Sequence, residues 1–259
     1  MNFIPKMTDY SILVLSCDKY SSLWPTFFER LNKYWIHNPS RIYLVTNHLE
    51  PKFPNVTNLA VGNDVDWSTN LLNALSRIDT EYVYILLEDI YINKLVDLTY
   101  LEDVFRCIQE LNPNYINTKA LPVAKGRKFS SRIRGVVKGS HYRASLCNVF
   151  WKKEMLSKLI IPGETPWEFE RRGSERSNAF DGFYGTTKNI LEFDHVIIGG
   201  KVARNVVSIT DIKNSKILDN FPILGRYQWL LFRVAIIRNR FFSALVPQSY
   251  QQAIRRYFE

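Results

Sequence analysis

Cysteine is scarce. The chain has 259 residues and three Cys, at positions 17, 107 and 147, with no CxxC pair. That excludes a disulfide scaffold and a Cys-rich zinc site, and it fits a reducing compartment. The four His (His37, His48, His141, His195) form neither HxxxH nor HExxH, so a His-based zinc site is not expected. Eleven Gly and eleven Pro are too few for a collagen-like or low-complexity chain. No GxGxxG, Walker A or GxSxG sequence occurs, which argues against dinucleotide oxidoreductases, P-loop enzymes and α/β-hydrolases. No apolar run reaches the roughly 18 residues that cross a bilayer. The opening MNFIPKMTDY lacks the apolar stretch of a secretion signal, so a cytoplasmic location is expected. There is no internal repeat.

Acid is also short. Asp and Glu total 25 against 34 Lys and Arg, a net charge of +9. A basic surface points to nucleic acid, anionic lipid or phosphate-bearing small molecules. The stretch 119–153 holds Lys119, Lys125, Arg127, Lys128, Arg132, Arg134, Lys138, Arg143, Lys152 and Lys153 and no acid. Such segregation fits an anionic ligand, or else a basic solvated loop. No helix-turn-helix, RRM, KH or zinc-finger pattern accompanies it, so nucleic acid is not the expected partner.

What is present reads as alternating strands and helices. SILVLSC (11–17) is apolar on both faces, as a central strand covered by helices should be. A helix is expected over 24–35, a strand over 41–47, a short strand within 55–62 and a helix over 67–78 capped by Asp66 or Ser68. YVYILLEDIYI (82–92) is the strongest strand signal, and it meets Glu88 and Asp89. Further on, helices are expected over 98–111, 151–160 and 165–177, strands over 115–123, 132–138 and 143–150, and a hairpin within 196–207. The order implies an open α/β sheet with mainly parallel strands, whose ligand sites lie at the carboxyl ends of the strands.

Those ends carry Cys17 and Asp18, Asn47, and Glu88 and Asp89. Two acids ending a buried strand need a partner. A divalent cation bridging to a nucleotide diphosphate would supply one, and so would a neighbouring Arg; of the two acids Asp89 is favoured. Adjacent strand residues face opposite ways, so one of the pair should point into the packing. In TPWEFE, Thr165, Pro166 and Glu168 have the spacing of a capping box, which accounts for Glu168. Glu170 lies about 200° further round the helix. Its aromatic neighbours suit a general base, so it is preferred over Glu168, with Asp181 and Asp194 next.

ILVLSCDKY, WSTNLLNALSRIDTEYVYILLEDIYI, and YRASLCNVFWKKEML followed by ETPWEFERRGSERS together resemble a small bacterial glycosyltransferase of the GT-A fold. The likeness is to those of capsule, O-antigen or lipooligosaccharide (lipopolysaccharide-type) polysaccharide biosynthesis, and it covers about residues 12–207. It implies a GT-A-like (Rossmann-like) open mixed sheet flanked by helices over 1–223, with a nucleotide-sugar half (1–112) and an acceptor half (113–223). It also implies a hexosyltransferase activity, most simply with a UDP-sugar and by inverting direct displacement. Ser16, Cys17 and Asp18, the run Asp66, Trp67, Ser68 and Asn70, the pair Glu88 and Asp89, and the basic Arg132 and Arg134 are the implied nucleotide-sugar contacts. Asp89 is the implied ligand of Mn or Mg. Glu88-Asp89-Ile90 departs from Asp-x-Asp, so basic residues are the alternative partner of the leaving phosphate. Two other classes remain: a non-catalytic nucleotide- or phospholipid-binding protein on a similar sheet, and a nucleic-acid-modifying protein.

Residues 224–259 hold six Arg against one acid, Glu259, a net +5, among many aromatic and aliphatic residues. Two helices divided by Pro247 are expected, forming a basic amphipathic tail. Either it packs on the core or it lies on the anionic inner face of the plasma membrane, near a lipid-linked glycan acceptor.

Overall fold

The computed structural model describes residues 10–36, 41–63, 65–120, 124–213 and 215–256. His37, Glu259 and the 121–123 part of the expected strand lie outside them.

The chain begins with β1 (Tyr10–Leu15), a 3-10 turn (Asp18–Leu23), α1 (Trp24–Tyr34), β2 (Ile42–Thr46), β3 (Val56–Ala60), α2 (Trp67–Ser76) and β4 (Tyr82–Leu87). β5 (Ile90–Ile92), α3 (Leu98–Leu111), β6 (Tyr115–Asn117), β7 (Ile133–Gly135), β8 (Val149–Lys152) and α4 (Lys153–Leu159) follow. Next come α5 (Pro166–Glu168), a π-helical turn (Phe169–Gly173), α6 (Ser174–Arg176), β9 (Phe183–Thr186) and β10 (Phe193–His195). The hairpin of β11 (Ile197–Ile198) and β12 (Lys201–Val202) precedes α7 (Thr210–Lys213), α8 (Ile217–Asn220), α9 (Arg226–Leu245) and α10 (Gln248–Arg256).

Eight strands form one mixed sheet in the order β3-β2-β1-β4-β8-β6-β9-β7. β1 sits between β2 and β4 and is parallel to both, and all six of its residues are buried. Its alternate side chains serve two cores, as a pleated strand requires. Ile12 and Val14 join a cluster with α1 and α3, while Leu13 and Leu15 join one with α2 and α4. This is the open mixed α/β sheet with flanking helices that the sequence implies, completed by helices at its C-terminal end.

Three expectations need correction. The strand over 82–92 breaks at Leu87, because β5 leaves the sheet to pair antiparallel with β10. Glu88 and Asp89 therefore form a turn, and neither is spent on sheet packing. The segment 143–148 is not a strand. Its groups bond to the helical turns instead: Ala144 N–H donates to Ser174 Oγ at 2.9 Å and Leu146 N–H to Glu170 Oε1 at 2.9 Å. Asn148, at φ +53, then redirects the chain into β8. Trp151 and Lys152 belong to that strand rather than to the helix after it.

Candidate functional site

β1, β2, β3 and β4 run parallel and end at one rim, and β6 runs in the same direction. A cleft of about 600 Å³ opens at this rim. Ser16 and Cys17 follow β1 into it, Asn47 follows β2, and Asp66, Trp67 and Asn70 come from the start of α2. Glu88 and Asp89 follow β4. Leu146, Pro166, Trp167 and Glu170 also line it, and so do Ile197 and Gly199 of the hairpin.

The acid pair is the costliest feature of the cleft. Burial pushes both carboxyls up, and the charge of Asp89 pushes Glu88 further. Asp89 Oδ1 is buried with no hydrogen-bond partner among the described residues. The Asp89 carbonyl is engaged, accepting from Val196 N–H at 2.7 Å, so the turn itself is fixed. An orphaned carboxylate oxygen next to a second carboxylate is the donor chemistry that a hard divalent cation satisfies. Among the described residues no group of three or more His, Cys, Asp or Glu could hold a metal ion. The pair therefore fits a cation that shares its shell with water and phosphate oxygens rather than one caged by protein.

Glu170 is placed in the cleft by the π-helical turn that follows the capped α5. Thr165 and Glu168 make the full capping box, with Glu168 N–H donating to Thr165 Oγ1 at 3.2 Å and Thr165 N–H to Glu168 Oε2 at 2.9 Å. The Thr165 N–H and hydroxyl both donate to Oε2, and they hold the Glu168 carboxyl below its usual range. Glu168 does not line the cleft. Glu170 does, and its Oε1 accepts from Ser145 Oγ at 2.8 Å and from Leu146 N–H at 2.9 Å. Neither bond uses Oε2. One carboxylate caps a helix and the other is fixed at a cavity wall.

Sequence reasoning missed a cation here. Lys119 follows β6, and its charge bears on the Cys147 thiol. Burial pushes that thiol up to about 11, Lys119 opposes the shift, and Glu170 and Asp89 add to it. Cys147 thus feels Glu170, Asp89 and Lys119 at once. Lys119 was visible only as one member of a basic run, since the direction of β6 is a property of the sheet. Tyr20, stacked on Phe221 at 5.5 Å, and Trp167, 76% exposed, also border the cleft.

Other predicted residues lie elsewhere or serve the frame. Asp18 does not line the cleft; its carboxylate accepts from the N–H groups of Asn47, His48 and Leu49 at 2.9, 2.9 and 3.1 Å. Ser68 is buried and donates to Asp66. Asp66 lines the cleft, yet its carboxylate takes Ser68, Thr69 and Gly163 as donors, which hold it below the ordinary range. Arg132 pairs with Asp103 at 3.2 Å and lies over the Tyr100 ring. Arg134 is on β7, the edge strand at the end of the sheet away from β1. The basic stretch is dispersed: Lys138 pairs with Asp181, Lys152 with Glu81, and buried Arg143 donates to Ser177. Asp181 and Asp194 do not line the cleft, and Asp194 accepts from Asn93 and Asn205.

No family model matches the chain, and no curated protein sequence matches it. The chain is similar to several solved structures. S. aureus TarS 1–349 gives a TM-score of 0.47 with 15% identity, covering 96% of this chain and 78% of that one. The same protein in complex with UDP gives 0.48 with 13% identity, covering 94% and 77%. The mannosyltransferase PcManGT from Pyrobaculum calidifontis, in complex with GDP-Man and Mn2+, gives 0.49 with 12% identity, covering 76% and 59%. Against a further TarS structure the chain spans 37% of that protein's length.

Proposed function

We propose that this chain is a glycosyltransferase that moves a sugar from a nucleotide-sugar donor to a hydroxyl of a glycan or glycolipid, with inversion by direct displacement. The observation that carries the reading is a single cleft lined by two sets of acids: the pair Glu88 and Asp89 at the end of β4, and Glu170 on the π-helical turn. The first suits a diphosphate held through a cation, and the second suits a base for an acceptor.

The nucleoside lies along the ends of β1 and β2 and the start of α2, bordered by Tyr20 and Trp67. Asp89, with Glu88, would hold Mn or Mg, which when bound supplies positive charge to the departing diphosphate. Lys119 adds a fixed positive charge near this wall. Glu170 takes the proton of the acceptor hydroxyl as that oxygen bonds to the anomeric carbon. The bond from that carbon to the phosphate oxygen breaks, and the electron pair leaves with the diphosphate. Ser145 and Leu146 keep the Glu170 carboxylate oriented throughout. A growing surface polysaccharide of the capsule or lipopolysaccharide type is the acceptor class this reading favours, and UDP-sugars are the first donors to test.

The test is release of nucleoside diphosphate from a panel of UDP- and GDP-sugars, with and without Mn or Mg, followed by NMR of the anomeric configuration in any product. Turnover with an inverted anomer supports the proposal. Binding of nucleotides with no hydrolysis or transfer by the wild-type protein would instead favour a non-catalytic binding module.

A further inference from the structure

α9 is 20 residues long and buries none of them. Its exposed apolar side chains are ordered. Tyr227, Leu230, Val234, Ile237 and Phe241 follow one another at steps of three and four, so they share one face of the helix. Leu231 and Leu245 widen that face. Arg226, Arg233 and Arg240 recur seven residues apart along one flank, and Arg238 emerges within the stripe. All four are exposed, and the helix contains no Asp or Glu.

The opposite face is the one that meets the protein. Trp229 packs against the main core, and Phe242 lies between the His141 ring at 6.5 Å and the Arg255 guanidinium at 4.9 Å. α10 straps the pair of helices down. Gln251 Oε1 accepts from His141 N–H at 3.1 Å, Gln252 Nε2 donates to the Ser140 carbonyl at 2.9 Å, and Asn178 donates to Gln252 Oε1 at 2.7 Å. Gly139, at φ +84, admits the backbone of Ser249 on α10 so closely that a Cβ there would stand 2.5 Å from the Ser249 carbonyl oxygen.

We propose that the outer stripe of α9 is a docking surface for an anionic phospholipid bilayer, with α10 fixing its orientation. Charge selects this occupant. A second copy of α9 would set Arg rows against one another with no acid on either helix to pair with them. A bilayer accepts aliphatic and aromatic side chains at the headgroup boundary while arginines meet lipid phosphates, and Arg238 can reach outward along its own stem. No helix among the described residues is long and apolar enough to cross a membrane, so the contact lies in the interface plane. The sequence expectation set packing of 224–259 on the core against a membrane contact; here one face of α9 packs and the other is left exposed.

The experiment is sedimentation of the full chain with vesicles of equimolar phosphatidylcholine and phosphatidylglycerol, and with phosphatidylcholine alone. Binding to the mixed vesicles at low salt, at least ~10-fold weaker binding to the neutral ones and release by salt are expected. The combined change Leu230→Glu, Ile237→Glu and Phe241→Glu alters exposed positions only. It should abolish binding with the circular dichroism spectrum unchanged. Arg233→Gln with Arg240→Gln should weaken binding about 25-fold, about fivefold for each charge removed. Failure of the wild type to sediment, or retention by the triple variant, overturns the proposal. So does a wild-type dimer in analytical ultracentrifugation that the triple variant converts to monomer, since the stripe would then be a contact between copies.

Discussion

Glu170 and Ser145 are joined by a hydrogen bond of 2.8 Å that ties the π-helical turn to the loop before β8. The two residues come from segments separated by a strand, β8, and two helices, α4 and α5. Their bond fixes a carboxylate at the cleft wall by one of its oxygens.

Glu170→Gln should abolish transfer while keeping donor affinity, because Gln retains the oxygen that accepts from Ser145 and Leu146 but has no basicity. A loss of at least ~100-fold in kcat is expected. Glu168→Gln should cost far less than this, since Gln still serves a capping box. Steady-state kinetics with calorimetric donor binding on both variants decides the matter. A fully active Glu170→Gln protein would remove the base from this position.

The strands β1, β2 and β4 were legible as short runs apolar on both faces, and the helices α1, α2 and α3 by apolar positions at helical spacing. The loop 143–148 was not. Its residues look like strand formers, but their hydrogen bonds go to Ser174 and Glu170, partners that only the folded chain supplies. The same limit hid the roles of Arg132 and Asp18. Each looked like a ligand contact from charge or position alone, while Asp103 and the loop after β2 hold them in place. Glu168 was readable because a capping box is local. Lys119 was not, since its place at the rim follows from the direction of β6.

Asp18→Ala should act on the frame. Three backbone N–H groups lose their acceptor, and bonds to a charged acceptor contribute more than neutral ones. A stability loss of about 1–3 kcal/mol is expected in urea denaturation. Donor affinity should weaken as a consequence, because Asn47 lines the cleft. Full stability with lost donor binding would reassign Asp18 as a direct contact.

Trp167 stands at the mouth of the cleft, 76% exposed, three residues before Glu170. An exposed indole offers a flat apolar face to a sugar ring. Trp167→Ala should raise the acceptor KM about 10-fold, roughly the value of one lost aromatic stacking contact, with donor hydrolysis unchanged. Loss of donor hydrolysis in parallel would place the indole against the donor.

Asp89 gives a prediction that does not depend on turnover. Its folded carboxyl sits above the ordinary value because it is buried, and Oδ1 has no partner among the described residues. A free carboxylate in the unfolded chain titrates near ~3.9. Below that value both states are protonated and burial carries no charge penalty. As pH rises towards the folded value, the unfolded chain releases its proton first, so stability falls across that interval and then levels off. Asp89→Asn removes this penalty. The variant should therefore melt several degrees above wild type at pH 7 to 8, at about 2–4 °C per kcal/mol for a chain of this size, and the gap should close near pH 3. Adding Mn with a nucleoside diphosphate should reverse the order, since the cation neutralises the carboxylates of the wild type and binds the Asn variant weakly. Differential scanning fluorimetry across pH, with and without these additions, reads both effects. A variant less stable than wild type at every pH without cation would mean that Asp89 is satisfied in the free protein, and the cation site would then have to be sought elsewhere in the cleft.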